Sequence, residues 1–243
     1  MPTCHVQILG LTPYDEAWQL QQQLAGAIAA GQHPPTLLLL EHPHVYTLGR
    51  RASADHLLWD ENVRTQKGVA VRWVDRGGDI TYHGPGQLVG YPLIPLAPLD
   101  WQEKRLPQAD FVGYVRKLEK VLIGVLACFG LAAVQREDLT GVWITPDEIS
   151  RCQPSLPPPK EARAPAKIAS IGVKIDARGI SRHGFALNVN PDSNYWQGIV
   201  PCGLDGVTML SMSDLLHPVP PMDLVIQNVI QVFGSIFGFE MIK

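Results

Sequence analysis

The sequence predicts an α/β fold in which a mixed, largely antiparallel sheet is flanked by helices. Strand-like and helix-like segments are mixed along the chain, without the regular alternation that produces a doubly wound sheet or a barrel. Of the 243 residues, 46% are hydrophobic, which is enough for a substantial core. No repeat or linker divides the sequence, so we expect residues 1–243 to form a single domain.

The first part of the chain is predicted to form one helix and three strands. The helix should run from about Pro13 to Gly31, because its apolar residues recur at helical spacing. These residues are Tyr14, Trp18, Leu24 and Ile28. The apolar run Thr36–Leu40 is short and follows two prolines, which suits a buried strand. Val45–Leu48 is predicted to be a second strand, and the alternating segment Val69–Val74 a third.

The middle of the chain contains the clearest helix. In Asp110–Phe129 the apolar residues follow helical spacing, and Gly130 is placed to end the helix. The segment Leu88–Ile94 before it is predicted to be extended. Ala132–Gln135 and Val142–Ile144 after it are predicted to be short strands.

The last part of the chain is predicted to form an insertion, a hairpin and a helix. Residues 146–166 contain six prolines in 21 positions and should form an irregular, proline-rich surface loop. Lys167–Ile175 and Ile180–Val189 are strand-like and flank the turn sequence Asp176–Gly179, which predicts a hairpin. A final helix is expected over Met222–Phe237.

Composition and charge narrow the functional classes. A formal net charge of −3 does not favour a nucleic acid as the main partner. No apolar run approaches membrane-spanning length, and the N-terminus lacks a signal-peptide pattern, so we expect a cytoplasmic protein without membrane association. The four cysteines are scattered without zinc spacing, and the eight histidines form no HExxH-type cluster. We therefore expect free thiols, no metal and no cofactor.

The densest polar motif is RGGDITYHGPGQ, from Arg76 to Gln87. Its glycines allow close backbone approach, while its Arg, Thr, Tyr and His side chains supply donors around that space. The motif therefore indicates the wall of a binding pocket, with a set of tight turns between strands as the alternative. Its spacing matches neither GxxxxGK[ST] nor GxGxxG, which argues against a triphosphate or dinucleotide site.

Cys202 is the candidate nucleophile among the cysteines. It lies in the turn sequence Pro201–Leu204, where little side-chain crowding is expected and the thiol should be near the surface. Cys128 falls in the apolar helix and should be in the core, whereas Cys4 and Cys152 lack a comparable setting. An incidental small apolar side chain remains the alternative for Cys202.

Lys167 opens the otherwise small and apolar strand KIASIGVKI. A lysine at the end of a strand is usually solvated. Beside a thiol, however, its ammonium would favour the thiolate, and the amine could exchange a proton with it. Spacing alone leaves both roles open.

Four motifs together resemble one family. In chain order they are RGGDITYHGPGQLVGYPL (Arg76–Leu93), KIASIGVKI (Lys167–Ile175), HGFALNVN (His183–Asn190) and PCGL (Pro201–Leu204). Jointly they resemble the octanoyltransferases of lipoate biosynthesis, the lipoyl(octanoyl) transferase family, over about residues 34–216. The resemblance implies the fold of the lipoate and biotin protein ligase catalytic domain. The stretch 146–166 is longer than the family's usual connection.

The resemblance also implies roles for individual residues. Cys202 matches the family's nucleophile, and Lys167 matches the lysine that favours its thiolate. The positions that match substrate-binding segments are Arg76, Gly77, Gly78, Asp79, Ile80, Thr81, Tyr82, His83, Ser170, Ile171, Gly172, Gly184, Phe185 and Ala186. His83 and His183 each precede a glycine and are candidates for the pocket wall. The candidates for an apolar acyl slot, with core packing as the alternative, are Ile80, Ile171, Val173 and Phe185.

The implied reaction moves octanoate from octanoyl-acyl carrier protein, through a thioester on Cys202, to a lysine of a lipoyl domain. The implied acceptors are the lipoyl domains of 2-oxoacid dehydrogenase complexes and the glycine cleavage H protein. Exchange of one thioester for another is near balance and needs no ATP. Backbone N–H groups near Gly172 or Gly78 are expected to stabilise the oxyanion.

Docking of these partners, which are typically acidic, would use complementary charge. Arg50, Arg51, Arg76 and Lys174 are expected to form a basic rim for them. We expect a monomer.

Three alternatives remain from the sequence. An ATP-dependent lipoate or biotin ligase would share the fold but would need no cysteine. A thiol hydrolase would pair Cys202 with His83 or His183 and would use water as the acceptor. A binding module would hold acylated carrier protein without turnover.

Overall fold

The computed structural model describes residues 1–96, 110–153 and 165–243. Its strands are β1 (Thr3–Leu11), β2 (Thr36–Glu41), β3 (Val45–Leu48), β4 (Ala70–Trp73), β5 (Ile80–His83), β6 (Gln87–Leu93), β7 (Ala133–Val134), β8 (Val142–Ile144), β9 (Ala166–Ile175), β10 (Ser181–Asn188) and β11 (Glu240–Ile242). Its α-helices are α1 (Tyr14–Ala29), α2 (Glu61–Gln66), α3 (Phe111–Cys128), α4 (Pro146–Cys152), α5 (Met212–Leu215) and α6 (Met222–Phe237). Short 3₁₀ segments cover Ala54–His56, Ser193–Gly198 and Pro201–Gly203.

The predicted fold class is confirmed. Within the described residues, an eight-stranded sheet has the order β11-β1-β2-β6-β10-β9-β8-β7. Strand β1 runs parallel to β11 and β2, and the other neighbouring pairs are antiparallel. A second, three-stranded sheet has the order β4-β3-β5. The sheet is therefore mixed and largely antiparallel.

The main sheet is covered by helices on both faces. On β2, Leu37 and Leu39 join the core formed with α3 and α6, whereas Leu38 and Leu40 join the core formed with α1. A strand that is buried on both faces has no polar side, which explains the continuous apolar run of β2.

The helices predicted from periodicity are confirmed. Helix α3 begins after Asp110, whose Oδ1 accepts a hydrogen bond from the Gly113 N–H at 2.7 Å. Helix α6 has the predicted bounds and ends at Gly238, which has a φ of 73°. The prediction that Cys128 is in the core is wrong, because the buried stripe of α3 ends at Leu126 and Cys128 is exposed in the last turn.

The predicted insertion over residues 146–166 is not a loop throughout. Its first residues form helix α4, since Thr145 Oγ1 caps the helix by accepting from the Glu148 N–H and Pro146 occupies the first turn. Ala166 already belongs to β9. The proline-rich part at 154–164 lies outside the described residues.

The second sheet places the glycine-rich motif between the two sheets. Strand β5 pairs with β3, and the chain then turns directly into β6 of the main sheet. Gln87 joins both parts, because its Nε2 donates to the Tyr82 carbonyl at 3.1 Å and to Asn188 Oδ1 at 2.9 Å. The motif is thereby held against β10.

The predicted β9–β10 hairpin is confirmed. Its two strands pair antiparallel, and the Asp176 N–H in the turn donates to the Ile180 carbonyl at 2.9 Å.

Candidate active site

A cavity of about 430 Å³ collects the motifs that are far apart in the sequence. Its volume is within the range of about 300–1,000 Å³ that is usual for small-molecule sites. The predicted site residues that line it are Cys202, Lys167, Arg76, Gly77, Gly78, Asp79, Ile80, Thr81, His83, Ser170, Ile171, Gly172, Gly184, Phe185 and Ala186. Val173 and His183 line it as well. The glycine-rich motif therefore forms a cavity wall and is not merely a set of turns.

Backbone pairing fixes Lys167 in strand β9. Its N–H donates to the Thr208 carbonyl at 2.8 Å, and its carbonyl accepts from the Leu210 N–H at 2.9 Å. This pairing ties β9 to the segment that follows the Cys202 turn. Lys167 is only 3% exposed, so its interpretation as a solvated strand end is wrong.

Cys202 lies in a strained turn that presents its side chain to the cavity. Its φ of 59° and ψ of 15° are left-handed, a conformation that costs a non-glycine residue about 1–3 kcal/mol. The turn is closed by the Gly203 N–H, which donates to the Val200 carbonyl at 3.0 Å. The Val200 N–H in turn donates to the His56 carbonyl at 2.8 Å, which anchors the turn to the segment before α2.

The two candidate catalytic side chains are in contact. Lys167 Nζ lies 3.3 Å from Cys202 Sγ. Among the described residues, Lys167 forms no ion pair with a carboxylate. An ammonium that faces a thiol in a half-buried site favours the thiolate, which is the nucleophilic form of cysteine. This pair can therefore support attack on an electrophilic carbonyl and transfer of one proton.

Arg76 supports the cavity wall from within the protein. Its Nη2 donates to the Thr47 carbonyl at 2.5 Å, and its Nη1 donates to the Asp79 carbonyl at 2.7 Å. Burial lowers the pKa of Arg76, which is 7% exposed. A Cβ on Gly172 would lie 2.9 Å from Arg76 Cδ, so glycine at 172 leaves room for this side chain. The prediction that Arg76 belongs to an exposed basic rim is wrong.

The other expected rim residues differ in their surroundings. Arg50 and Arg51 are exposed, and Arg51 also lines the cavity. Lys174 Nζ forms an ion pair with Asp75 Oδ2 at 2.7 Å.

Tyr82 does not line the cavity, unlike the other predicted substrate-binding residues. Side chains alternate along a strand, and in β5 this turns Tyr82 away from Thr81 and His83. Its hydroxyl lies 2.9 Å from His44 Nδ1, and its ring stacks on Tyr195 with centroids 5.3 Å apart. Tyr82 therefore supports the wall from behind.

The two histidines of the cavity wall are engaged with other groups. His83 Nδ1 lies 2.7 Å from Gln87 Oε1, and burial holds the pKa of His83 well below its usual value. His183 Nε2 lies 2.7 Å from Asp75 Oδ1, and burial lowers the pKa of His183 despite this carboxylate. The group that hydrogen-bonds the Cys202 thiol is Lys167.

Sequence reasoning missed His56, which supports the Cys202 turn together with Asp79. His56 Nδ1 lies 2.8 Å from Asp79 Oδ2, and Asp79 Oδ1 accepts from the Ile80 N–H at 2.6 Å. A Cβ on Gly203 would lie 2.4 Å from Asp79 Oδ2, so a side chain at 203 would displace this pair or the turn. His56 belongs to no motif in the sequence, and only the fold brings it to the site.

The structure also narrows the choice of oxyanion donors. The Gly77 N–H donates to the Val173 carbonyl at 3.0 Å, so this carbonyl points away from β10. Val173 and its partner His183 on β10 are therefore a non-hydrogen-bonded pair. Because hydrogen-bonded and non-hydrogen-bonded pairs alternate in an antiparallel ladder, the next pair, Gly172 with Gly184, is hydrogen-bonded. The Gly172 N–H is thus engaged with β10, which leaves Gly78 as the predicted donor.

Further cavity residues come both from the motifs and from elements outside them. Those that the sequence did not single out for the cavity are Tyr14, Tyr91, Phe111, Val115, Asp138, Leu139, Thr140 and Leu204.

In residues 1–96, 110–153 and 165–243, no group of three or more His, Cys, Asp or Glu side chains is arranged to hold a metal ion. None of the helices in these ranges has the length and apolar character needed to cross a membrane.

Comparison with known proteins identifies the class to which this fold and cavity belong. Residues 13–234 match the family described as the lipoyl protein ligase A/B catalytic domain. The match covers most of the chain, and the protein belongs to this family.

Relatives within the family are more specific. A protein of Chloroflexus aurantiacus named octanoyltransferase is 40% identical over 240 residues, covering 99% of this chain and 96% of its own. An octanoyltransferase of Rubrobacter xylanophilus is 40% identical over 230 residues, covering 94% of this chain and 91% of its own. One from Salinispora arenicola is 42% identical over 218 residues, covering 88% of this chain and 87% of its own.

Solved structures with this fold include lipoate protein ligases. A bipartite lipoate protein ligase from Thermoplasma acidophilum has a TM-score of 0.67 and 17% identity, covering 100% of this chain and 88% of its own. A lipoate-protein ligase A bound with ATP has a TM-score of 0.65 and 17% identity, and the match covers 99% of this chain and 90% of that protein. At this identity the likeness concerns the fold alone, and it confirms the predicted likeness to lipoate ligases.

Proposed function

We propose that this protein is an octanoyltransferase that moves an octanoyl group from acyl carrier protein to a lipoyl-domain lysine through a thioester on Cys202. The observation that carries the proposal is the 3.3 Å contact between Lys167 Nζ and Cys202 Sγ at the cavity. The relatives named octanoyltransferase, at about 40% identity over most of the chain, support the choice of acyl group.

The first half-reaction loads the enzyme. The Cys202 thiolate attacks the carbonyl carbon of the octanoyl thioester, and the bond from this carbon to the carrier's pantetheine sulfur breaks. The Lys167 ammonium supplies the proton that the departing thiol takes up. One thioester replaces another, so no ATP is consumed.

The second half-reaction transfers the acyl group to the acceptor. Lys167, now neutral, accepts a proton from the amine of the lipoyl-domain lysine as this amine attacks the thioester carbon. The carbon–sulfur bond to Cys202 then breaks, and the acyl group ends as an amide. The Gly78 N–H is our candidate for stabilising the oxyanion in both steps.

An apolar slot for the acyl chain is formed by residues that are also part of the protein interior. Ile80, Val173 and Phe185 are at most 4% exposed and line the cavity. Each CH2 group buried there contributes about 0.8 kcal/mol, so an octanoyl chain gains several kcal/mol. Chain-length discrimination should therefore be modest.

The partners follow from this chemistry. The donor would be octanoyl-acyl carrier protein, and the acceptors would be lipoyl domains of 2-oxoacid dehydrogenase complexes and the glycine cleavage H protein. We place the reaction in the cytoplasm and expect the protein to act as a single-domain monomer. Arg51, which lines the cavity, and its chain neighbour Arg50 are both exposed and are suited to acidic partners.

The test is octanoylation of an apo lipoyl domain by the purified protein. With octanoyl-acyl carrier protein and no ATP, mass spectrometry should find an octanoyl group on the acceptor lysine. If modification instead requires free octanoate and ATP, the protein acts as a ligase and the proposal is wrong. Release of free octanoate in the presence of the acceptor would identify a thiol hydrolase.

Two observations already favour transfer over these alternatives. A ligase that forms an acyl-adenylate needs no cysteine, yet Cys202 faces a buried lysine here. A Cys–His hydrolase needs a histidine at the thiol, yet the side chain that contacts the Cys202 thiol here is Lys167.

A further inference from the structure

Trp143 lies directly behind the catalytic lysine. It pairs with Lys167 across strands β8 and β9, so both side chains share one face of the sheet. Its neighbours Val142 and Ile144 belong to the core under α3 and α6, which directs Trp143 to the opposite face. Lys167 Nζ lies 5.1 Å from the centroid of the Trp143 ring.

A register irregularity makes this pairing possible. Between Val142 and Trp143 the partner on β9 changes from Ala169 to Lys167, a step of two residues. Ile168 and Ala169 both reach the main core as a result, while Lys167 faces the indole. Such bulges re-aim a side chain near a site, and here the re-aimed side chain is the lysine.

The indole is enclosed and is not part of the cavity wall. Trp143 is 0% exposed and does not line the cavity, so it does not contact the substrate. Its Nε1 has no hydrogen-bond partner among the described residues. Gly141 leaves room for the Lys167 side chain, because a Cβ at position 141 would lie 2.5 Å from Lys167 Cε.

We propose that Trp143 is the positioning residue of Lys167 and holds its ammonium against the ring face at contact distance from the Cys202 thiol. A cation over an indole is attracted by the ring quadrupole, most strongly in a site that excludes water. In the free enzyme the ammonium faces both the thiolate and the indole. Loading leaves Lys167 neutral, so the attraction between cation and ring acts in the free enzyme and is absent from the acyl-enzyme.

Other charged groups around this pair do not replace the indole. Arg136 Cζ also lies over the Trp143 ring, 5.2 Å from its centroid, and its guanidinium is paired with Asp138 at 3.4 Å. Glu119 Oε1 accepts from the Gly141 N–H at 3.0 Å, and its other oxygen pairs with Arg116 at 2.8 Å. These charged groups are paired with other partners, so the Trp143 ring is the group that we assign to hold the Lys167 ammonium.

The inference rests on the proposed role of Lys167, but its main test needs no acyl donor. Alkylation of Cys202 by iodoacetamide reports the thiolate, and peptide mass spectrometry separates Cys202 from Cys128 and Cys152. In Trp143→Leu we expect the midpoint of the alkylation–pH profile to rise by roughly 0.4–1.5 pH units, corresponding to a 2- to 30-fold loss of thiolate. Trp143→Phe should shift it less, because a smaller ring retains part of the attraction.

Two controls separate positioning from packing. Phe233→Leu removes a buried aromatic ring from α6, and it should leave the alkylation profile unchanged while lowering stability. In a Lys167→Met background, Trp143→Phe should add no further shift, because the cation that the ring holds is gone. Circular dichroism establishes that each variant is folded.

The result that would overturn the inference is a folded Trp143→Leu with the wild-type alkylation–pH profile, or a shift that persists without Lys167. Failure of the wild type to accept octanoate would instead count against the proposed function alone. If both proposals hold, Trp143→Phe should slow octanoyl loading near neutral pH yet not slow transfer from preloaded enzyme. General structural damage would slow both steps.

Discussion

Lys167 Nζ lies 3.3 Å from Cys202 Sγ, and each of the two residues is held there by backbone structure. Lys167 is fixed by strand pairing with residues 208–210, and Cys202 is fixed by a left-handed turn. A preorganised pair loses little conformational freedom when it reacts, which is the main advantage of a rigid site. The geometry explains why Cys202, among the four cysteines, is suited to catalysis.

Replacement of Lys167 by methionine should slow loading of Cys202 while retaining the length of the side chain. We expect the single-turnover rate at neutral pH to fall by about 10²- to 10⁴-fold, because the thiolate loses its cation and the leaving thiol loses its proton donor. Lys120→Met, an exposed lysine on α3, is the matched control and should load at the wild-type rate. A loss of less than about threefold in Lys167→Met would remove Lys167 from the mechanism.

Replacement of Gly203 by alanine should disable the Cys202 turn. The new Cβ would lie 2.4 Å from Asp79 Oδ2, and the φ of 66° is unfavourable for any side chain. Gly206 has a φ of 72° but open space around it, so Gly206→Ala carries the backbone cost without the clash. We expect octanoyl loading to fall at least tenfold further in Gly203→Ala than in Gly206→Ala. Equal loading rates in the two variants would show that the space between Gly203 and Asp79 is not needed for octanoyl loading.

Asp75 joins the glycine-rich motif to the β9–β10 hairpin. Its carboxylate lies 2.7 Å from His183 Nε2, Lys174 Nζ and Arg182 Nη2, and these partners, His183 first, hold the pKa of Asp75 well below its usual range. Asp75→Asn leaves the buried Arg182 poorly paired, and we expect a loss of about 1–3 kcal/mol in the free energy of unfolding at pH 7.

The pH dependence of this loss follows from the depressed pKa. The carboxylate stabilises the fold fully above its unfolded pKa of about 3.9, and this contribution is lost only as the pH falls through the lower folded value. In urea titrations, the gap in the free energy of unfolding between wild type and Asp75→Asn should not narrow from pH 7 to about pH 5. A gap that narrows in this interval would contradict the assignment. Asp15→Asn, which breaks an exposed pair with Arg72, should cost at most about 1 kcal/mol.

Local patterns in the sequence were sufficient for the elements whose structure is decided locally. The apolar spacing of α3 and α6 and the turn residues of the β9–β10 hairpin each specify one element without reference to distant residues. The same logic failed at residues 146–152, where six prolines in the wider stretch obscured a capped helical turn. It failed at Cys128 because periodicity does not reveal where a helix leaves the core.

The site was predictable only as far as the motifs reach. The resemblance named the residues that line the cavity, but the orientation of Tyr82 depends on the pleat of β5, and the burial of Arg76 depends on Thr47 and on the glycine at 172. His56 and Trp143 carry no motif signal. They reach the site through a turn contact and a β-bulge, which arise only when distant segments pair.

The central claim is that the acyl group passes through Cys202, and intact-protein mass spectrometry tests it most directly. After incubation with octanoyl-acyl carrier protein without ATP, the wild type should gain one octanoyl group on the Cys202 peptide, and an apo lipoyl domain should discharge it. Cys202→Ser should form no thioester and should not modify the acceptor. A wild type that modifies the lipoyl domain without this adduct, together with a Cys202→Ser variant of undiminished activity, would contradict the account.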